Sequence, residues 1–379
     1  MLEILNSAPY YVFGFLVLLT VVVFIHELGH FSVARACGVR VEVFSIGFGS
    51  ELFGWTDRHG TRWKVSALPL GGYVKMFGQG EQIVDQGGNE RSLTDAEKAV
   101  AFSHKRLWQR AAIVAAGPMA NLVLTVVSIA VLFSTIGQPY LPAVVGEVTP
   151  GSAAEKAGLA AGDRILSVNG KPVEDFSDFF LMVRESNGAS LAMVVKRADQ
   201  QLSLTAQPAL VETNDADGAA HRNYQLGVRA GNQEYLPPVG LGTASAAALT
   251  WTFNASIGLL DYVGQMLAGH RSGDEVGGVL RIGKIAGDEA KKGLAEFLYL
   301  IPVLSLNLGL LNLFPIPLLD GGHLAFFAVE GVRGRPLGER AQEWGMRIGI
   351  AVVLGLMVFA TWNDLKYFKV VDFIKNLVT

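Results

Sequence analysis

Residues 8–34 read APYYVFGFLVLLTVVVFIHELGHFSVA, a long apolar run that ends in a polar motif. Residues 8–25 contain no charged side chain, and this length of 18 residues is about the minimum for a helix that spans a bilayer. A cleaved signal peptide is the alternative interpretation, but residues 1–7 contain no Lys or Arg and no small-residue cleavage pattern follows the run. The stretch therefore predicts a retained membrane-spanning helix with polar residues at its end.

Three more apolar runs follow in the chain. Residues 111–137 and 297–319 carry no charge, and the shorter run 348–362 lies between Arg347 and Asp364. Half of all residues are hydrophobic and 17% are charged, whereas soluble globular proteins have about a quarter charged residues. The expected fold is a membrane protein, an α-helical bundle of four transmembrane helices.

The net charge and the cysteine content limit the chemistry. A net charge of −3 gives no reason to expect a nucleic-acid partner. Cys37 is the only cysteine, so a disulfide framework and a cysteine-based zinc site are excluded. Any metal in this chain must be held by His and carboxylate side chains.

The basic residues that flank the apolar runs predict the orientation of the helices. The positive-inside rule places loops rich in Lys and Arg in the cytoplasm. Such residues are concentrated between the first and second runs and between the third and fourth runs: Arg35, Arg40, Lys105, Arg106, Arg110, Arg333, Arg335, Arg340 and Arg347. We therefore expect residues 138–296 to lie outside the cytoplasm. Lys366, Lys369 and Lys375 near the C-terminus weigh slightly against this orientation.

Residues 143–210 have the pattern of a small soluble domain. Within them, VVGEVTPGSAAEKAGLAAGDRILSVNGKPV (residues 144–173) predicts a strand, a Pro-Gly turn, a short helix and a strand that ends at an Asn-Gly turn. A helix at residues 176–185 and alternating strands at 190–196 and 201–205 complete the domain. The stretch PGSAAEKAGLAAGDRILSVNG resembles the signature of bacterial protease-associated PDZ modules. This resemblance implies a domain that binds an extended peptide or a chain terminus as an added strand.

The motif HELGH at residues 26–30 predicts a metal-binding helix end. His26 and His30 are spaced i and i+4, so both imidazoles lie on one face of the helix and can bind one Zn²⁺ ion. Glu27 can then take a proton from a metal-bound water. The alternative is a satisfied polar cluster at a helix end. Because such residues are costly to bury on a membrane-spanning helix, a functional role is favoured.

Zinc requires a third protein ligand, and Asp320 is the best-placed candidate. It follows an apolar run in NLFPIPLLDGGH (residues 312–323), where two prolines break the helix and two glycines free the backbone. A broken helix inside a membrane is tolerated where it lines a cavity. Glu51 and His323 are the alternatives, but Glu51 lies in a polar loop after the first span and His323 lies beyond the two glycines.

The number of spans tests this choice. With four spans, Asp320 falls at the same cytoplasmic depth as His26 and His30. Residues 235–260 are also uncharged, and a fifth span there would place Asp320 on the other side, about 20 Å or more away. We therefore expect residues 241–268 to form an amphipathic or interfacial helix that packs on the bundle.

The motif GPMAN lies in the second apolar run. Small residues allow helices to approach closely in a membrane, and buried amides form hydrogen bonds between helices. We therefore expect Gly117 and Ala120 to let the second helix pack closely, with Asn121 bonded to a neighbour.

Four motifs together resemble a known family. They are HELGH at residues 26–30, GGYVKM at 71–76, GPMAN at 117–121 and Asn312-x-x-Pro315-x-Pro317-x-x-Asp320-Gly321. With these motifs the chain resembles the bacterial site-2 proteases of the regulator-of-sigma-E type, as a member with a single PDZ module. The resemblance implies that His26, His30 and Asp320 bind Zn²⁺ and that Glu27 is the general base of a zinc metalloendopeptidase.

The same resemblance implies substrate-binding residues. Asn307 and Asn312 of the third run take the places of asparagines that hold substrate in the family, although hydrogen bonding between helices is the alternative. Residues 65–78 offer an edge strand to an unwound substrate segment, or else form a plain hairpin at the interface. The residues of this segment with an expected substrate contact are Gly71, Gly72 and Tyr73.

The family also implies a domain order, a location and partners. The expected order is residues 1–137 with the first two transmembrane helices and a cytoplasmic membrane-associated β-loop, 138–210 as an extracytoplasmic PDZ domain, 211–296 as a linker and interfacial helix, and 297–379 with the last two transmembrane helices. The implied location is the inner membrane of a bacterium. The implied substrates are single-pass membrane proteins in regulated intramembrane proteolysis, such as anti-sigma factors that another protease has already cut, or remnant signal peptides.

Two other functions are weighed against the protease. A membrane scaffold with a structural metal and a peptide-binding PDZ domain has no need of Glu27 as a base. A metal transporter uses His and Asp inside the membrane, but one closed set of ligands and a sequence without an inverted repeat favour the protease.

Overall fold

The computed structural model of the 379-residue chain describes residues 2–79, 92–214, 220–270, 273 and 276–370. The chain forms two compact units. The membrane unit comprises Met1–Val131 and Leu241–Thr379, and the β-rich domain comprises Leu132–Gly240.

Helices dominate the membrane unit, and short strands dominate the β-rich domain. The helices of the described residues are α1 (Leu2–Ala36), α2 (Asp95–Val100), α3 (Leu107–Thr135), α4 (Ala153–Lys156), α5 (Phe176–Glu185), α6 (Leu241–Leu267), α7 (Val279–Lys292), α8 (Leu294–Asn312), α9 (Asp320–Arg333) and α10 (Glu339–Tyr367). The strands are β1 (Val41–Thr56), β2 (Arg62–Met76), β3 (Pro139–Tyr140), β4 (Val145–Val148), β5 (Arg164–Val168), β6 (Lys171–Pro172), β7 (Leu191–Arg197), β8 (Gln200–Ala206), β9 (Ala209–Asn214), β10 (Ala220–Gln225), β11 (Val228–Ala230) and β12 (Glu234–Tyr235).

Helices α1, α3, α8 and α10 are each long and apolar enough to cross a membrane. They coincide with the four apolar runs, and they confirm the expected membrane protein with four transmembrane helices. The helix of the third run ends earlier than predicted. Helix α8 stops at Asn312, and Asp320 begins α9 instead of closing the span. Pro315 and Pro317 explain the break, because proline has no N–H to donate and disfavours helical conformation in the residue before it.

Helix α6 covers the segment that the sequence assigns to an interfacial helix. It is 27 residues long, but among the described residues it is not one of the four helices that are both long and apolar enough to cross a membrane. One stripe of small residues, Ala244, Ala248 and Thr252, is buried, whereas Leu249 and Phe253 are exposed. An interfacial helix needs a polar face opposite an apolar one. The exposed face of α6 carries large apolar side chains, so an interfacial position and its depth in the membrane stay predictions.

Strands β1 and β2 fold into four paired segments. Residues 41–46 pair with residues 72–76 on one side and with residues 62–65 on the other. The second half of β1, residues 51–56, pairs with residues 62–66. Residues 72–76, the outer strand, thus form one edge of a small sheet, and the described residues contain no strand that pairs with its other side.

The outer strand is anchored to the end of α1 by a shared apolar core. Its members come from α1, the sheet, α3 and the turn before α3: Ala34, Val39, Val41, Met76, Phe102, Ile113 and Val114. The start of β1, the end of β2 and α3 all pack on the last turn of α1. The sheet therefore lies next to the HELGH motif.

The β-rich domain contains a four-stranded antiparallel sheet in the order β6-β5-β7-β8. Inward residues alternate along β7, whereas β5 buries Ile165 and Val168 on either side of a register shift, and α5 closes the core with Phe179 and Val183. The helix predicted at residues 176–185 and the strand predicted at residues 164–168 occur with those bounds. The helix–strand order agrees with the small domain that the sequence predicts.

The prediction of a linker at residues 211–235 is wrong. Residues in this range form strands β9 to β12, apart from residues 215–219, which lie outside the described part. Strand β11 pairs with β4 (Val228 opposite Val148), and β12 pairs with β3 (Glu234 opposite Tyr140). Strands β9 and β10 pair with each other as a hairpin. Strands β11 and β12 are only three and two residues long, and their partners lie about 80 to 95 residues earlier, so only long-range pairing reveals these two. The domain therefore extends to Gly240.

A buried ion pair supports this domain. The carboxylate of Asp163 is fully buried and accepts hydrogen bonds from Arg197 Nε at 2.7 Å and from Arg197 Nη2 at 2.8 Å. The backbone N–H of Ala160 donates to the same carboxylate at 2.9 Å. These hydrogen bonds, led by those from Arg197, hold the pKa of Asp163 below its ordinary value.

We expect this ion pair to make the domain acid-sensitive. Because the folded pKa of Asp163 is depressed, its stabilisation is complete above the ordinary aspartate pKa of about 3.9 and is lost as the pH falls through the lower folded value. Hydrogen exchange of β5 and β7 in the full-length protein, corrected for the intrinsic rate at each pH, should show this loss. Asp163→Asn should weaken protection near neutral pH and flatten the pH dependence below about pH 4. An identical pH profile in the variant would show that the pair contributes nothing.

Candidate metal centre

Helix α1 carries His26, Glu27 and His30 on its later turns. His26 and His30 are buried, and their Nε2 atoms lie 3.2 Å apart. The two rings meet edge to face, with centroids 4.8 Å apart. The i, i+4 spacing therefore places both imidazoles on one side of the helix.

Asp320 reaches these rings from the first turn of α9. Its Oδ2 atom is 3.1 Å from His26 Nε2 and 3.4 Å from His30 Nε2. The preceding turn contains Leu318 with φ = 96°, a conformation that side chains other than glycine rarely adopt. A Cβ atom on Gly321 would lie 2.2 Å from a carbonyl oxygen of that turn, so only glycine fits there. This tight turn brings the carboxylate to the two imidazoles.

The three converging atoms fit a zinc ion. In a tetrahedral site with zinc–ligand bonds of about 2.0–2.1 Å, the ligand atoms lie about 3.3–3.4 Å from one another. The observed separations among His26 Nε2, His30 Nε2 and Asp320 Oδ2 are 3.1, 3.2 and 3.4 Å. Two imidazole nitrogens and one carboxylate oxygen are a donor set of catalytic zinc sites, in which water takes the fourth position. These residues could therefore hold a catalytic zinc ion.

One face of helix α3 contacts both imidazoles. The carbonyl oxygen of Ile113 lies 2.8 Å from His30 Nδ1, and the side-chain amide of Asn121 lies 3.3 Å from His26 Nδ1. Gly117 lies between them, and a Cβ atom there would be 2.3 Å from His30 Nε2 and 2.9 Å from His26 Cε1. When Nδ1–H of His30 donates to Ile113, Nε2 is left free to bind a metal.

A cavity of about 270 Å³ opens beside the three converging atoms. It is lined by residues of α1, the outer strand, α3, the α8–α9 turn and α9: His26, Glu27, His30, Tyr73, Val74, Met76, Gln79, Val114, Asn312, Leu318, Leu319, Asp320 and His323. The cavity thus combines the carboxylate of Glu27 with the candidate ligands and with a strand edge.

Two of the expected substrate contacts lie on the outer strand beside Glu27. A Cβ atom on Gly72 would be 3.1 Å from Glu27 Cγ, so the backbone passes directly against this side chain. Tyr73 lines the cavity. Gly71 (φ = 115°) is in contact with a different group, since a Cβ atom there would lie 2.6 Å from the ring of Phe48.

The two asparagines of α8 differ in position. Asn312 ends the helix and lines the cavity, whereas Asn307 is not among the lining residues of the described chain. The two alternative ligands also differ. Glu51 forms an ion pair with Arg62 inside the β1–β2 sheet, and His323 lines the cavity but does not belong to the converging cluster.

Sequence reasoning did not single out six of the lining residues: Val74, Met76, Gln79, Val114, Leu318 and Leu319. Leu318 lines the cavity from a strained backbone, and its side chain is 45% exposed. Its place between Pro317 and Asp320 is the only sequence signal for this role. Gln79 and Val114 carry no such signal, because the folding of the sheet and of α3 onto α1 brings them to the cavity.

Comparison with known proteins identifies similar chains over nearly the whole length. The profile of peptidase family M50 matches residues 14–356. A protein of Rhizobium meliloti (strain 1021), provisionally named a zinc metalloprotease, is 45% identical over 373 residues, which cover 96% of this chain and 98% of that protein. A protein of Agrobacterium fabrum with the same provisional name is 42% identical over 364 residues, or 94% and 96% of the two chains. Metalloprotease MmpA of Caulobacter vibrioides is 37% identical over 387 residues, or 96% and 97%.

A solved structure with detectable similarity matches a smaller part of the chain. The PDZ domain of an SdrC-like protein from Listeria monocytogenes covers 24% of this chain and 88% of its own chain, with 18% identity and a TM-score of 0.19. A score this low carries no argument about function.

Proposed function

The chain belongs to peptidase family M50 and is a zinc metalloprotease, and on this basis we propose that it is a site-2 protease that cuts single-pass membrane proteins within the bilayer. One observation carries the proposal. His26, His30 and Asp320 converge at distances suited to zinc beside Glu27, at a helix apolar enough to span a membrane. Peptide hydrolysis at this depth is the chemistry that such a site supports best.

In the proposed mechanism, His26, His30 and Asp320 hold the metal and Glu27 moves protons. When bound, zinc lowers the pKa of a coordinated water and polarises the scissile carbonyl. Glu27 accepts the proton of the attacking water and then donates it to the leaving amine nitrogen. The cavity between α1, α3 and α9 supplies a polar space for water next to these groups.

The outer strand is proposed to position the substrate. A transmembrane substrate is helical, and its carbonyl groups are bonded within the helix, so it must unwind before cleavage. The unwound segment then pairs with the outer edge of residues 72–76, where the described residues place no further strand, as an added strand. The contact between Gly72 and Glu27 supports this role, because a backbone paired there would lie next to the base. Gly71 keeps this end of the strand in place against Phe48, and Tyr73 faces the bound segment.

The asparagines of α8 are proposed to hold the substrate from the opposite side of the cavity. Asn312 is placed for direct contact, because it lines the cavity. Asn307 lies more than one helical turn earlier and would contact substrate further from the scissile bond.

The β-rich domain is proposed to bind a peptide or chain terminus of the substrate. A cavity of about 660 Å³ lies between α4, the strand ends of β8 and β9, and the turn at Leu226 and Gly227. This volume falls in the range of ligand-binding sites. The proposed location is the inner membrane of a bacterium with this domain outside the cytoplasm, where it meets segments that another protease has trimmed. Anti-sigma factors and remnant signal peptides are the substrate classes that the family resemblance supports.

The direct test uses the purified chain in detergent and a tagged single-pass protein with a trimmed outer domain. We expect cleavage within the apolar segment, located by mass spectrometry of both products, which a zinc chelator abolishes and added Zn²⁺ restores. Cuts confined to the soluble flanks would contradict intramembrane cleavage. Zinc uptake into vesicles without any cleavage would favour the transporter.

The proposed ligand set predicts the behaviour of Asp320→Asn. The neutral amide is a weaker ligand than a carboxylate, so zinc affinity should fall by on the order of 100-fold. Elemental analysis and zinc transfer to a chelator measure the loss. His323→Gln is the matched variant, since His323 lines the same cavity outside the cluster. Loss of zinc from His323→Gln with retention in Asp320→Asn would exchange the two roles.

Removal of the β-rich domain should change substrate selection. Tyr140 and Glu234 are paired in the β3–β12 ladder. A two-residue turn between them can therefore replace residues 141–233 and keep the chain continuous. We expect the shortened protein to cut substrates with intact outer domains that the full chain rejects. Equal selectivity of both proteins, compared on trimmed and untrimmed forms of one substrate, would refute this role.

A further inference from the structure

We propose that Asn121 is a positioning residue that fixes the ring orientation and tautomer of His26. The inference rests on the proposed role of His26 as a metal ligand and adds a residue from another helix to that site. Asn121 is placed in α3, one turn after Gly117, and its side chain points to the ring nitrogen of His26 that faces away from the three converging atoms.

The carboxamide oxygen of Asn121 lacks a hydrogen-bond partner. The residue is fully buried, with its Nδ2 atom 3.3 Å from His26 Nδ1, while its Oδ1 atom is buried without a hydrogen-bond partner. Buried polar atoms without partners are rare and call for a physical reason. Rotation of a carboxamide by half a turn about its last torsion exchanges nitrogen and oxygen with little change in shape.

Metal binding decides which of the two orientations applies. If His26 Nε2 binds a metal, Nδ1 carries the hydrogen and is a donor. The NH₂ group of Asn121 is also a donor, so two donors would face each other. With Oδ1 turned to the ring, an acceptor meets the donor and the unpartnered oxygen gains its hydrogen bond. Asn121 would then select the tautomer in which Nε2 of His26 is free for the metal.

The surroundings of Asn121 hold its backbone in place. Its carbonyl oxygen accepts hydrogen bonds from Ser305 Oγ at 2.8 Å and from Thr125 Oγ1 at 2.9 Å. Both hydroxyl-bearing residues are fully buried. Gly309 of α8 passes so close that a Cβ atom there would lie 3.2 Å from Asn121 Cβ. These contacts fix the backbone position from which the side chain reaches His26.

The two imidazoles are thus supported in different ways. His30 Nδ1 is bonded to the backbone carbonyl of Ile113, which no substitution removes. His26 Nδ1 meets a side chain. The support of His26 alone can therefore be removed by mutation, which makes the inference testable.

The test measures zinc affinity in the full-length protein in detergent, by competition with a chelating indicator. Asn121→Leu keeps a similar volume without an acceptor, and it should bind zinc about 10- to 100-fold more weakly. Asn121→Asp keeps an acceptor oxygen and should restore most of the affinity. Ile129→Ala is the matched control, because it removes buried side-chain volume from the same helix about two turns beyond Asn121.

The outcomes separate this inference from the ligand assignment. Wild-type affinity in Asn121→Leu would overturn the inference, and so would an equal loss in Ile129→Ala, because general loosening of α3 would then explain both. His26→Ala serves as the reference. If His26→Ala retains wild-type affinity, the ligand assignment itself fails. If His26→Ala loses zinc while Asn121→Leu does not, only the role of Asn121 fails.

Discussion

Glu27→Gln should abolish peptide cleavage while leaving zinc bound. Glutamine has nearly the shape of glutamate but cannot accept a proton from water, and the loss of a general base lowers rates by roughly 10²- to 10⁴-fold. Glu27 is not one of the three converging ligand atoms, although it lines the same cavity. Cleavage of a trimmed single-pass substrate, followed by gel, and the zinc content of the same preparation together measure the effect.

The zinc content makes this experiment specific to the base. Loss of activity with loss of zinc would indicate collapse of the site and not removal of a proton acceptor. Glu289→Gln is a suitable control, because this glutamate pairs with Lys292 on α7 and should not affect turnover. If Glu27→Gln cuts as fast as the unmodified chain, Glu27 is not the base, and the scaffold with a structural metal becomes the better explanation.

Gly117→Ala should expel zinc although it adds a single methyl group. The added Cβ would lie 2.3 Å from His30 Nε2 and 2.9 Å from His26 Cε1, well inside van der Waals contact. Because His30 is also tied to Ile113 at 2.8 Å, its ring cannot move away and keep that bond. Displacement of a ligand by about 1 Å is enough to disrupt a metal site, and we expect zinc affinity to fall by on the order of 100-fold or more.

Helix propensity alone predicts that Gly117→Ala stabilises the protein, in contrast to the damage expected at the metal site. Alanine is favoured over glycine in a helix by about 1 kcal/mol, so a simple helix effect would stabilise α3. Gly258→Ala in α6 provides the comparison, because a Cβ atom there meets nothing within 4 Å. Gly258→Ala should bind zinc normally. Normal zinc affinity in Gly117→Ala would show that α3 does not contact the imidazoles as described.

Local sequence patterns predicted the positions of the four spans and of several elements of the β-rich domain. A hydrophobic run long enough to cross a bilayer is visible without any partner, as in residues 8–25 and 111–137. The i, i+4 spacing of His26 and His30 likewise follows from helix geometry alone. Helix α5 has the predicted bounds because its amphipathic pattern lies within ten residues.

Tertiary structure alone decided the features that depend on distant partners. Strand β11 became recognisable only through its pairing with β4, and Asp320 proved to start a helix because the two prolines end α8 early. The contacts of Gly117 and Asn121 with the imidazoles likewise depend on how α3 crosses α1. Apolar length and helical spacing are properties of neighbouring residues, so the sequence determined the four spans and the shared helix face of the candidate ligands His26 and His30. The approach of Asp320 to the imidazoles, the outer strand beside Glu27 and the contact of Asn121 with His26 are set by packing between segments as far as about 290 residues apart, which no local pattern encodes.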